Sequence, residues 1–83
     1  MNNREVLLSN MNKVHTTEMG IDRIKRNLGL EAEDIICWCQ KLIQKEKSII
    51  IRKGKNWCVE IDGVMITINA YSYTIITAHK MKR

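Results

Sequence analysis

The chain has 83 residues, no proline and a formal net charge of +5. A chain of this length makes one domain and buries only roughly 60–65% of its unfolded surface. No apolar run approaches the roughly 18 residues of a membrane span, and MNNREVLLSN lacks the basic start and apolar stretch of a signal peptide, so a soluble cytoplasmic protein with no membrane partner is expected.

The first segment, Asn3 to Asn12, reads as a short helix with Val6, Leu7 and Met11 as its apolar side. Thr16 or Thr17 then offers an N-cap, and a second helix runs to about Leu28 with Ile21, Ile24 and Leu28 at helical spacing. Gly29 follows as its C-cap. His15 falls at the start of this helix, on nearly the azimuth of Asp22 and Arg26 and away from the apolar stripe. Glu31 opens a third helix, whose first turn carries Glu31, Glu33 and Asp34, the favourable sign for its dipole. Leu30, Ile35, Trp38, Leu42 and Ile43 give that helix a core stripe.

From Ser48 to Lys80 the text changes to β-branched and aromatic residues cut by turn signals. Four runs follow: Ile49–Arg52, Asn56–Ile61, Val64–Asn69 and Tyr73–Ala78. Asp62-Gly63 is the strongest two-residue hairpin signal, and it pairs Ile61 with Val64 and Glu60 with Met65. Trp57, Val59, Ile61, Val64, Ile66 and Ile68 then share a core face, while Cys58, Glu60, Met65, Thr67 and Asn69 share a polar one. For the last run, a three-residue loop at Ala70–Ser72 pairs Asn69 with Tyr73. That register places Thr77 and His79 beside Glu60 and leaves Ile76 and Ala78 for the core, whereas a one-residue slip inverts both faces. Helices first and strands after predict an α+β fold, two or three N-terminal helices packed on one face of a four-stranded antiparallel sheet. The expected organisation is a single domain over residues 1–83, helices about 3–45 and sheet about 48–80.

Charge is uneven. Residues 1–47 hold eight Lys/Arg and seven Asp/Glu, a balance of +1, whereas residues 48–83 hold six and two, a balance of +4. Arg52, Lys53 and Lys55 cluster at one turn, and Lys80, Lys82 and Arg83 end the chain. A basic sheet half points to a polyanion such as RNA. The candidate phosphate or RNA contacts are Arg52, Lys53, Lys55, Arg23, Arg26 and Lys80, with Tyr73 as a base-stacking surface. The candidate catalytic set is Glu60, His79, Thr77 and His15. Glu60 as base and His79 as acid, with cations for the phosphate, make the inventory of metal-independent RNA cleavage by the 2′-hydroxyl. Cys37, Cys39 and Cys58 form no Cys-x-x-Cys pair and are expected as reduced thiols. Two distant histidines without nearby ligands predict no metal, and no Gly-rich phosphate loop predicts no cofactor.

Two resemblances add to this reading. KVHTTEMGIDRIKRNLGL, RKGKNW and NAYSYTIITAHK are similar to an uncharacterised bacterial family of short proteins, domain of unknown function 3781, over nearly the whole chain. That likeness implies that His15, Arg23, Arg26, Lys53-Gly54-Lys55 and Thr77-Ala78-His79 are family features, and it implies no activity. More loosely, helices followed by an antiparallel sheet ending in Thr-x-His resemble the RelE/barnase/EndoU-type ribonuclease and toxin fold. That likeness implies an RNA-facing sheet carrying Lys53, Lys55, Glu60, Thr77 and His79, with His15 or Arg23 added from a helix. The few sheet arginines and the missing C-terminal tyrosine depart from that pattern. The function expected is RNA binding with metal-independent, toxin-like ribonuclease activity. The alternative is a non-enzymatic module, either a winged helix-turn-helix that binds DNA or a protein-interaction domain. A protein partner, antitoxin-like or a second copy, is kept beside RNA.

Overall fold

A computed structural model describes residues 2–30 and 34–81. The order is α1 (Asn3–Ser9), a 3-10 turn (Met11–Lys13), α2 (Glu18–Leu28), α3 (Ile35–Ile43), β1 (Ile49–Lys53), β2 (Asn56–Ile61), β3 (Val64–Asn69) and β4 (Ile75–Lys80). The strands form one antiparallel sheet in the order β1-β2-β3-β4. This is the expected α+β fold.

Each helix starts on a side-chain cap. Asn2 accepts from the Glu5 amide at 2.8 Å, Thr17 from Gly20 at 3.0 Å and Asp34 from Cys37 at 2.9 Å. The third helix therefore begins at Ile35 with Asp34 as its cap, four residues later than expected; Glu31 and Glu33 lie outside the described residues. Asp34 competes successfully for the cap because its short carboxylate reaches the amide three residues on. Gly29 ends α2 in the left-handed conformation, φ 65°.

The core lies between the helices and one sheet face. Trp57, Val59, Ile61, Val64, Ile66, Ile68, Ile75 and Ala78 meet Leu7, Met11, Ile24, Leu28, Ile35, Cys39, Leu42 and Ile43 there. Arg4 ties α1 to the entry of β1, donating to the Ser48 carbonyl at 2.8 Å, the Ser48 hydroxyl at 2.7 Å and the Lys45 carbonyl at 2.8 Å.

The β2–β3 hairpin is as expected. Asp62 and Gly63 both take positive φ, 50° and 74°, as a turn matching the strand twist requires. The β3–β4 connection differs in two ways that cancel. The loop is Ala70–Tyr73, four residues, so Asn69 faces Thr74: the Asn69 amide donates to the Thr74 carbonyl at 2.8 Å. Asn69 accepts the Tyr71 and Ser72 amides on its side chain and fixes the longer loop, with Tyr73 at φ 61°. The ladder then slips between Thr67 and Ile68, where Ile68 faces Ile75, Thr67 faces Thr77, and Ile76 is the extra residue. Thr77 and His79 therefore share the outer face with Glu60, as expected. Ile75 rather than Ile76 enters the core: Ile75 is 1% exposed and Ile76 41%.

Candidate functional site: the turn end of the sheet

The outer face reads in rows across the sheet. Ile49, Glu60, Met65 and His79 make one row, Ile51, Cys58, Thr67 and Thr77 the next, and Lys53, Asn56 and Asn69 the last. The last row is continued by Thr74 and then by His15, which pairs beside Thr74 as a parallel bridge. His15 thus precedes α2 as extended chain on the free edge of β4. Its amide donates to the Tyr73 carbonyl at 3.1 Å, and the Ile75 amide donates to its carbonyl at 2.7 Å.

At this same end, on the helix side, three aromatic rings and two cations stack together. Tyr73 is tilted on Trp57 with ring centroids 5.4 Å apart. The Lys13 ammonium lies 5.6 Å from the Tyr73 ring centre. The Arg52 guanidinium lies 5.9 Å from that of Trp57 and 5.6 Å from that of Tyr71. These are cation–π distances. Arg52 is held by donating from Nε to the Gly54 carbonyl at 2.7 Å. Tyr71, at the tip, is 71% exposed. The Trp57 indole N–H is the one buried side-chain polar atom without a partner among the described residues, and it lies within this stack.

His15 carries a polar chain across the outer side. A carbonyl only accepts, so Nδ1 donates to the Lys13 carbonyl at 2.8 Å. Its Nε2 meets the Thr74 hydroxyl at 3.2 Å, Thr74 meets the Ser72 hydroxyl at 2.8 Å, and Ser72 donates to the Asn69 side chain at 3.1 Å. Next to Thr74 a hollow of about 350 Å³ opens between α2 and β4, lined by Thr16, Thr17, Met19, Gly20, Arg23, Thr74, Ile75 and Ile76. Thr16 donates to the Ile75 carbonyl at 2.9 Å, and its hydroxyl fills the space a side chain at position 20 would need, which is why that position is glycine. A second hollow of about 260 Å³ follows along α2, between Met19, Asp22, Arg23 and Arg26.

The expected site residues divide over the molecule. Lys53, Lys55, Arg52, Tyr73 and His15 stand together at the turn end. Arg52 projects to the helix side, opposite in face to Lys53, because strand neighbours alternate. Tyr73 packs half-buried on the core rather than standing on the outer face, because the four-residue loop turns it inward. Glu60 and His79 stand at the opposite end, flanking Met65 and about 10 Å apart at Cα by strand spacing. From Asn56 to Glu60 is four residues of strand, about 13 Å, so one phosphate held by Lys53 does not lie between Glu60 and His79. Thr77 stands midway, with Asn27 of α2 at 3.5 Å, and Lys80 faces Val64 at the far end. Lys82 and Arg83 lie outside the described residues. Lys13 and Tyr71 are the additions; exposed aromatic and basic residues flanking the turns were their signal.

All three cysteines are free, and burial pushes the Cys39 thiol up to about 11, which leaves it protonated and inert near neutrality. Among the described residues no His, Cys, Asp and Glu cluster could hold a metal, and no helix is long and apolar enough to cross a membrane. The proposed DNA-reading helix, α3, has Ile35, Cys39, Leu42 and Ile43 buried in the core.

Residues 8–79 match the family model described as protein of unknown function (DUF3781), and the chain belongs to that family. No curated protein and no solved structure matches it.

Proposed function

We propose that the chain binds single-stranded RNA at the turn end of its sheet. The observation that carries this reading is the run Lys13, Tyr73, Trp57, Arg52 and Tyr71, in which two cations lie against three rings beside Lys53 and Lys55. Unstacked bases lie on aromatic and guanidinium planes, and phosphates between them take ammonium groups. Tyr71 is the base platform and Arg52 its cationic backing. Lys53, Lys55 and Lys13 hold phosphates, and the hollow beside Thr74, with Arg23 and then Arg26 along α2, carries the strand onward.

Metal-independent cleavage of that strand, the activity suggested by the looser ribonuclease resemblance, is a second reading favoured by His15. Its Nδ1 bond to Lys13 fixes the tautomer and turns Nε2 toward Thr74 at the mouth of the hollow, where it would take the 2′-hydroxyl proton. Glu60 and His79 would serve only a strand that continues down the outer face.

The test is fluorescence anisotropy with a labelled single-stranded RNA of about 12 nucleotides at two salt concentrations. Binding that weakens with salt and is lost in a Tyr71→Ala, Arg52→Ala double variant is expected. Equal binding by that variant refutes the assignment. The same RNA in excess chelator reads cleavage. Loss in His15→Ala assigns it to the turn end, loss only in His79→Ala assigns it to the far end, and no cleavage leaves a binding module.

A further inference from the structure

We infer that two copies of this chain pair through β1, antiparallel, about a two-fold axis at Ile51. The two edges of the sheet are finished differently. Along β4, His15 takes the first backbone groups, and two carbonyls further on are met by side chains, Ile75 by Thr16 just before α2 at 2.9 Å and Ala78 by Asn27 of α2 at 3.4 Å. The outer edge of β1 pairs with nothing among the described residues. Natural edges are blunted by short strands, charges, proline or bulges; β1 holds its charges at one end, in Arg52 and Lys53, and leaves Ile49-Ile50-Ile51 without any of them. Ile49 and Ile51 are 53% and 47% exposed on the outer face.

The register follows from hydrogen-bond parity. A two-residue Gly54-Lys55 loop makes Lys53 and Asn56 a hydrogen-bonded pair, so Ile51–Cys58 and Ile49–Glu60 are bonded likewise. Ile50 and Arg52 therefore turn their N–H and C=O groups to the free edge. Centred on Ile51, Ile50 of one copy meets Arg52 of the other in both directions, which joins all of these groups. Ile51 then faces the partner's Ile51 as a close, non-bonded pair, and Ile49 faces the partner's Lys53. This centre matches all five strand residues with strand residues. Parallel pairing would stand Arg52 beside Arg52 and Lys53 beside Lys53. The antiparallel register sends the two Lys53 to opposite ends of the seam, about 13 Å apart along the strand, beyond the screening length of roughly 8–10 Å. The product is a continuous eight-stranded sheet with four isoleucines closing over its outer seam.

Sedimentation equilibrium of the whole chain, without RNA, tests this. A dimer that dissociates on dilution is expected, monomeric in Ile51→Lys and retained in Ile76→Lys, which places the same charge on an exposed isoleucine far from β1. Both variants are checked for the native fold by circular dichroism, and Ile49→Lys stands in where Ile51→Lys misfolds. A monomer up to high micromolar concentration overturns the inference, as does a dimer indifferent to the β1 variants or broken by Ile76→Lys.

Discussion

The two ends of the sheet use similar residues for different ends. At the β2–β3 turn, Lys45 and Asp62 form an ion pair at 2.6 Å, the one pair among the described residues, and Glu60 and His79 stand nearby on either side of Met65. At the opposite end Lys13 and Arg52 stand over aromatic rings, and Lys53 and Lys55 stand exposed beside them, none of the four paired with a carboxylate among the described residues. A cation with an acidic partner is neutralised locally. A cation backed by a ring keeps its field for a ligand. Three of the six cations of the C-terminal half, Arg52, Lys53 and Lys55, thus join Lys13 in a directed surface at the turn end, while Lys80 stands at the other.

The largest expected effect breaks the turn end itself. Trp57 is 2% exposed and supports both Tyr73 and Arg52. Trp57→Ala should cost about 3–5 kcal/mol in urea unfolding and abolish RNA binding together; a loss of stability with affinity intact would separate the stack from the ligand. Gly20→Ala drives a methyl onto the Thr16 hydroxyl and off the Ile75 carbonyl. It should cost about 1–3 kcal/mol, and hydrogen exchange should rise first at the start of β4.

Single Tyr71→Ala or Arg52→Ala variants sharpen the comparison without unfolding the protein. Each should weaken RNA binding by roughly 5- to 100-fold, whereas Glu60→Gln and His79→Ala should leave affinity unchanged. Cys39 reports on the shared core through pH. Its raised thiol favours the protonated form in the fold. Its contribution is whole below the ordinary value of 9.0 and is lost as pH rises through about 11. Replacing Cys39 by serine or alanine should flatten stability against pH in that alkaline window only. The smallest effect belongs to the far end: Lys45→Ala removes an ion pair whose side chains are 53% and 54% exposed. It should cost less than about 1 kcal/mol, vanishing in high salt.

Much of this architecture is legible from local signals. Asp62-Gly63 sets its own hairpin because both residues tolerate positive φ, and the alternation it starts places six core residues in β2 and β3. The last strand is less legible. Asn69 captures two loop amides and lengthens the turn by one residue, and the Ile76 bulge restores the phase, so the faces of Thr77 and His79 come out as expected by another route. Arg52 and Lys53 are adjacent in sequence and opposite in face. Strand period alone separates them, yet proximity at a turn suggests one cluster. The His15 bridge is not legible at all, because it joins residues 59 apart and depends on the edge that β4 leaves open.

The most direct measurement is a backbone amide NMR titration with single-stranded RNA. Shifts clustered at Lys13, His15, Arg52, Lys55 and Ala70–Thr74 are expected, with Glu60, Met65 and His79 still. Shifts centred on Glu60 and His79, or none at saturating RNA, would contradict it.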